Sequence, residues 1–207
     1  YIFLKDHLAG KNLSQDEELD YVLKKAKTGF RVETDVVGKN GEKLTSDEHY
    51  TKEEMQEIIK LAKALHINLV PEIDTPGHAL SFVKVRPDLM YKGSLSDYRG
   101  KHNVERVAML DLDNKYEETL EFVKSVYDKL LDGEDAPLHG VSTVHIGTDE
   151  YYGSRESYRR YVNDMIQYIK GKGYTPRIWG SLSAKPGTTP VDWKDVEVDI
   201  WSIGWQR

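Results

Sequence analysis

Apolar residues recur every three to four positions in four stretches of the chain. In KEEMQEIIKLAKAL, residues Met55, Ile58, Ile59, Ala62 and Leu65 share one helical face. Thr51 and Glu54 have the spacing of a capping box at its start. RESYRRYVNDMIQYIKGKG aligns Tyr158, Val162, Met165, Ile166 and Ile169, with Ser154 placed to cap. Asn114 with Glu117 opens KYEETLEFVKSVYDKLL, which stops at Gly133. Ser14 with Glu17 forms a possible capping box at the start of DEELDYVLKKAK, and Gly29 is its stop. Each is predicted to be a helix.

Between and after these periodic stretches the pattern changes to short continuous apolar runs. They are INLVPEI (67–73), VSTVHIG (141–147), PRIWG (176–180) and VDIWSIG (198–204). Runs that do not alternate suit strands covered on both faces, as in a parallel sheet. Strands alternating with helices predict α/β architecture. A hairpin is expected at FRVETDVVGKNGEKL, where Asn40-Gly41 is a tight-turn signal. SAKPGTTPVD (183–192) reads as a loop.

Polar and aromatic residues collect at one end of these runs. INLVPEI leads into Asp74, Thr75, Pro76, Gly77 and His78, and VSTVHIG into Thr148, Asp149 and Glu150. The other two runs carry Trp179 and Trp201. Functional groups at the C-terminal ends of successive strands fit a (β/α) barrel. An open doubly wound sheet binds at the same end, so this feature leaves both architectures open. No glycine-rich phosphate loop follows any of the runs, which disfavours a nucleotide site.

The adjacent acids Asp149 and Glu150 carry the chemistry. A pair ahead of a helix can simply favour its N-terminus. Here Ser154 already offers a cap, and the pair follows a buried run. In a sheltered pocket, two neighbouring carboxyls resist ionising together, so one can act as a general acid. Adjacent residues point in different directions, so the two can have different tasks. One could protonate a leaving oxygen while the other holds a substrate donor, a division that suits glycosidic cleavage. Neighbours in sequence are poorly placed to bracket one bond from both faces, a difficulty that a nucleophile supplied by the substrate would remove.

Composition narrows the classes without choosing among them. The 207 residues carry a formal charge of −6, which argues against nucleic acid or an anionic membrane as the main partner. No apolar run approaches the length of a membrane span. There is no cysteine, hence no disulfide or thiolate metal site. The opening YIFLKDH lacks an initiator Met, a basic region and a cleavage site, and is not read as a secretory leader.

LVPEIDTPGHA (69–79) and HIGTDE (145–150) resemble the two signature segments of glycoside hydrolase family 20, the β-N-acetylhexosaminidases. The first follows the pattern PEID-x-PGH. The second follows H-x-G-G-D-E, with Thr148 in place of the second glycine. The similarity runs from about His49 to Gln206, with RIWG and VDIWSIGW in family order. It implies part, about half, of a (β/α)8 barrel over residues 49–207, preceded by a loop insertion with helix and hairpin over residues 1–48.

The resemblance also implies roles. Glu150 is the general acid/base, and Asp149 orients and polarises the substrate's 2-acetamido group. That group's oxygen attacks the anomeric carbon and gives an oxazolinium-type intermediate, the family's known exception to the two-carboxylate rule. Trp179 and Trp201 resemble walls of the acetamido pocket. Asp74, His78 and His145 resemble a polar network supporting Glu150, and Glu72 is expected to join it. No cofactor or metal is implied. The implied partners are glycans ending in β-linked N-acetylhexosamine (GlcNAc, GalNAc or lacto-N-biose), at an extracellular or cell-surface location.

Two other classes remain open. Glu72, Asp74, His78, His145 and Asp149 are also possible ligands of a metal-dependent hydrolase, although H-E-x-x-H is absent. The aromatics could also serve a non-catalytic glycan-binding module. Strand counting by family order places further barrel strands before Tyr1 and after Arg207. They would bring an arginine, a tyrosine and another tryptophan to the site. On that expectation the 207-residue piece alone is inactive and either self-associates through exposed edge strands or aggregates.

Overall fold

A computed structural model describes residues 50–92 and 109–201. The helix expected behind Ser14, the hairpin at Asn40-Gly41 and the 1–48 insertion lie outside the described residues. The described elements run α1 (Lys52–Ala64), β1 (Glu72–Thr75), α2 (Leu80–Val85), α3 (Tyr116–Leu131), β2 (Thr143–Gly147), α4 (Arg155–Gly171), β3 (Thr175–Trp179) and β4 (Glu197–Asp199). Single 3-10 turns follow α2 and β3, at Pro87–Leu89 and Leu182–Ala184.

All four strands are parallel and lie side by side in chain order, β1-β2-β3-β4. A doubly wound sheet reverses its strand order at a switch point, whereas a barrel does not. The described sheet has no reversal and forms one sector of a barrel wall. As expected, the first and last apolar runs supply its edges. Val198 and Ile200 near one edge and Ile67 near the other are exposed.

The helices cover one face. α4 buries Tyr158, Tyr161, Val162, Met165, Ile166 and Ile169, and α3 buries Leu120, Val123, Tyr127 and Leu131. These join Val144, Ile146 and Ile178 of the strands in a single core cluster. Burying an aliphatic side chain of this size contributes about 1.5–3 kcal/mol, so this seam accounts for much of the sheet–helix adhesion.

Two helix starts match the sequence reading and one does not. Thr51 Oγ1 accepts the Glu54 N–H while Glu54 returns a bond to Thr51 N, completing the capping box. Ser154 caps α4 through the Ser157 N–H. Asn114 does not cap α3. Its amide bonds the Asp111 carboxylate, and the helix begins behind Lys115 without a side-chain cap. Asp111 also accepts the backbone N–H groups of Asp113 and Asn114, so an acid upstream shapes this turn.

The first strand also differs from expectation. It occupies residues 72–75 rather than 67–73. β2 begins at Thr143 and pairs His145 with Glu72, so residues ahead of Pro71 have no neighbouring strand among the described residues. Pro71 has no N–H to give and contributes only its carbonyl, which accepts from His145 N at 2.9 Å.

Candidate active site

The C-terminal ends of β1 and β2 meet closely because two glycines allow it. A Cβ on Gly147 would lie 1.8 Å from Asp74 Oδ1, and one on Gly77 would lie 2.6 Å from the Asp149 carbonyl oxygen. The backbone carrying the acids is unusual. Gly147, Thr148 and Glu150 have φ values of 69°, 85° and 46°. Positive φ costs a β-branched residue such as Thr148 free energy, which the surroundings must offset. Asp74 Oδ1 accepts the Thr148 N–H at 3.2 Å, and the Tyr158 hydroxyl donates to the Thr148 carbonyl at 2.5 Å. Thr148 is fully buried between them. The departure from the glycine pattern is thus held in place on both sides.

His78 lies between the two acids. Its Nε2 is 3.1 Å from Glu150 Oε2, within hydrogen-bond range, and 3.6 Å from Asp149 Oδ2, where attraction is mainly electrostatic. Asp149 first and then Glu150 raise the His78 pKa to about 10, against the opposing effect of burial. Burial, followed by the Asp149 charge, raises the Asp74 carboxyl to about 8. Burial also pushes Asp149 upward, but His78 and Asp74 outweigh it, and its pKa lies below the ordinary value. Near neutral pH, therefore, Asp149 is ionised, His78 is cationic, and Asp74 shares its proton with Asp149. Asp149 Oδ1 is buried and has no hydrogen-bond partner among the described residues.

His78 should tie stability to pH. Its folded pKa of about 10 exceeds the unfolded 6.5, so its contribution is complete below pH 6.5 and is lost as pH rises through 10. The raised Asp74 carboxyl acts in the same direction, up to about pH 8. Stability of the full-length protein should therefore fall between pH 7 and 10. The ceiling for one proton is about 1.4 kcal/mol per pH unit. His78→Gln should flatten that fall in urea-unfolding midpoints. A variant with an unchanged slope would contradict the assignment.

A second cluster lies beside the first. Glu72 does not join the acid pair; its partners are Trp179 and His145. Trp179 Nε1 donates to Glu72 Oε1 at 2.7 Å, and His145 Nδ1 lies 3.7 Å from the same oxygen. His145 Nδ1 accepts the Gly147 N–H at 3.0 Å, which puts the ring proton on Nε2. Burial lowers the His145 pKa, so the ring is neutral. Its support of the acids runs through Gly147 rather than through direct contact with Glu150.

Asp74, His78, Asp149 and Glu150 are thus brought together, His145 lies behind Gly147, and Trp179 stands at the same end of β3. Trp201 lies two residues beyond β4 and is 40% exposed. The sequence reading missed the tyrosines of α4. Tyr158 is placed on the apolar face and Tyr161 is not singled out; both are buried, and their hydroxyls reach the Thr148 carbonyl and Thr75 Oγ1. It also missed Arg177, Glu197 and Asp199. Arg177 Nη2 is 2.6 Å from Glu197 and its Nη1 is 3.5 Å from Asp199. The signal was present in R-x-W and E-x-D, alternate positions sharing one face of adjacent strands.

The catalytic-domain profile of glycosyl hydrolase family 20 matches residues 23–176. A lacto-N-biosidase of Bifidobacterium bifidum is 26% identical over 90% of this chain and 17% of its own length. A β-N-acetylhexosaminidase of Cellulomonas fimi is 29% identical over 72% of this chain and 29% of its own. A solved structure of the tandem family 20 modules of the pneumococcal exo-β-D-N-acetylglucosaminidase StrH superposes with a TM-score of 0.58. It is 20% identical and covers 90% of this chain and 56% of that one. The chain thus spans less than a third of these curated relatives and over half of the solved module. The likeness in fold makes the four-stranded sector part of a (β/α) barrel. The chain belongs to glycosyl hydrolase family 20.

Proposed function

We propose that the full-length protein carrying this chain removes terminal β-linked N-acetylhexosamine from glycans, with retention of configuration, through the substrate's own acetamido group. The observation that carries this reading is an ionised Asp149 set beside Glu150, with His78 between them. An ionised carboxylate suits an acetamido N–H and the positive charge that develops as the ring closes. Glu150 donates a proton to the glycosidic oxygen as the bond to the anomeric carbon breaks. The acetamido oxygen attacks that carbon, giving the oxazolinium. Glu150 then takes a proton from the water that opens it. His78 Nε2, 3.1 Å from Glu150 Oε2, holds the carboxyl in place.

Asp74, His78 and Asp149 also stand close enough to offer one ligand atom each to a metal ion, all within 4.8 Å. Their protonation favours the other reading. His78 is held cationic beside Asp149 and Glu150, and a cationic imidazole has no lone pair to give a metal ion.

The test uses the full-length protein and a panel of aryl glycosides. Aryl β-GlcNAc, β-GalNAc or β-lacto-N-bioside should be hydrolysed, and the matching β-glucoside, with a 2-hydroxyl, should be nearly inert. EDTA should leave the rate unchanged, and NMR should show the β-anomer released first. Comparable cleavage of the 2-hydroxy glycoside would refute the substrate-assisted step. Loss of activity on chelation would favour a metal. Sugar binding without turnover would favour a glycan-binding module.

A further inference from the structure

Trp179 ends β3, and the hydrogen bond that fixes it comes from two strands away. Glu72 lies on β1, and its bond to Trp179 Nε1 passes over His145 of β2. Glu72 pairs in register with His145, and His145 pairs with Arg177. Trp179 is two residues beyond Arg177 and therefore shares its face of β3. The His145 ring lies under the indole, with centroids 4.7 Å apart and planes tilted by 55°. An indole has one N–H and can donate to one group. Here that group is a carboxylate, and a charge-assisted bond is the stronger kind.

The rest of the cluster leaves Glu72 committed to this bond. A protonated His145 would draw the carboxylate away. Yet Nδ1, the His145 atom nearest Glu72, already accepts from Gly147 N–H, and burial keeps the ring neutral. Arg177, which could also compete, is occupied by Glu197 and Asp199 on the opposite side. Two contacts therefore define the plane of Trp179: the Glu72 oxygen at its edge and the His145 ring against its face.

We propose that Glu72 is the positioning residue of Trp179 and sets the orientation of the aromatic wall against which the N-acetyl sugar stacks. The proposal rests on the reading of this site as an N-acetylhexosamine site. Glu72 acts through the indole and touches no reacting atom. A properly oriented ring gains stacking area and excludes water from the acetamido group; a free ring must be ordered by the substrate, at a cost in affinity.

The test again uses the full-length protein, with Glu72→Leu, Glu72→Gln and Glu72→Asp. The Trp179 indole N–H resonance is assigned by its loss in Trp179→Phe. In Glu72→Leu that resonance should move upfield and exchange faster with solvent. KM and the inhibition constant of an N-acetylglucosamine-thiazoline should rise about tenfold, the scale of a hydrogen bond to a charged group. Glu72→Gln keeps an acceptor oxygen and should restore the resonance and most of the affinity. Glu72→Asp keeps the charge but withdraws it by one methylene, and should shift the resonance and raise KM severalfold. It carries the test if the leucine variant does not fold. An unshifted indole in Glu72→Leu or Glu72→Asp overturns the proposal, as does a glutamine variant as impaired as the leucine one. A wild-type protein that fails to bind the thiazoline sinks the sugar-site reading instead, while the indole resonance still reports whether Glu72 holds Trp179.

Discussion

Glu150→Gln in the full-length protein is expected to lower turnover of a natural glycan by about 10²–10⁴-fold, the usual range for a positioned general acid–base. The substitution keeps the side chain's size and leaves an oxygen that can still face His78 at the 3.1 Å contact. It removes only the transferable proton. The loss should therefore depend on the leaving group. A natural alcohol needs protonation as it departs, whereas a dinitrophenolate does not, so aryl glycosides with acidic leaving groups should be hurt less in the first step. The measurement is a pair of kcat/KM values for wild type and variant on a natural and an activated substrate. A variant at near-wild-type rates on the natural glycan would remove Glu150 from the mechanism. Equal losses on both substrates would point to damaged geometry instead.

Asp149→Asn is expected to cost about 10²–10³-fold, comparable with losing one preorganised electrostatic partner of a transition state. Asp149 is kept ionised by His78 and Asp74 in spite of its burial. Ionisation suits a group that receives an N–H and opposes developing positive charge. Asparagine is nearly isosteric but carries no charge and brings an N–H that can meet the acetamido N–H head-on. Binding of a thiazoline mimic of the intermediate should weaken in this variant, read by inhibition or calorimetry. Undiminished thiazoline affinity would remove Asp149 from that role. Trapping a covalent glycosyl-enzyme on any carboxylate would overturn the substrate-assisted route altogether.

The proposed mechanism gives the two acids opposite tasks although they are neighbours in sequence. The backbone around them explains how. With Gly147, Thr148 and Glu150 all at positive φ, the chain turns sharply instead of continuing as a strand. A regular strand would simply send adjacent side chains to opposite faces of the sheet. Here His78 reaches both carboxylates with one nitrogen, so the turn brings them to one site.

Much of this molecule can be read from sequence because the signals are local. Hydrophobic periodicity located α1, α3 and α4, since a buried helical face needs an apolar residue every three to four positions. The capping box at Thr51 and Glu54 lies within one turn, and so does the Ser154 cap. Continuous apolar runs marked the strands because a parallel sheet is covered on both faces. The acid pair and the Pro-Gly turn after β1 stood out as polar residues where apolar ones would otherwise continue. Tertiary structure decided what depends on distance in space rather than in sequence. β1 is shorter and later than its apolar run because only residues opposite β2 can pair. Asn114 lost its expected cap to Asp111 because the loop before α3 folds back on itself. Glu72 left the acid network for Trp179, 107 residues away, because register places its carboxylate across β2 from the indole. The protonation of His78 and Asp74 was equally invisible, since it follows from burial and from carboxylates that only folding brings within a few ångströms. Residue types and their order state which chemistry is possible; the register of the strands and the close approach at Gly77 and Gly147 decide which groups share a proton.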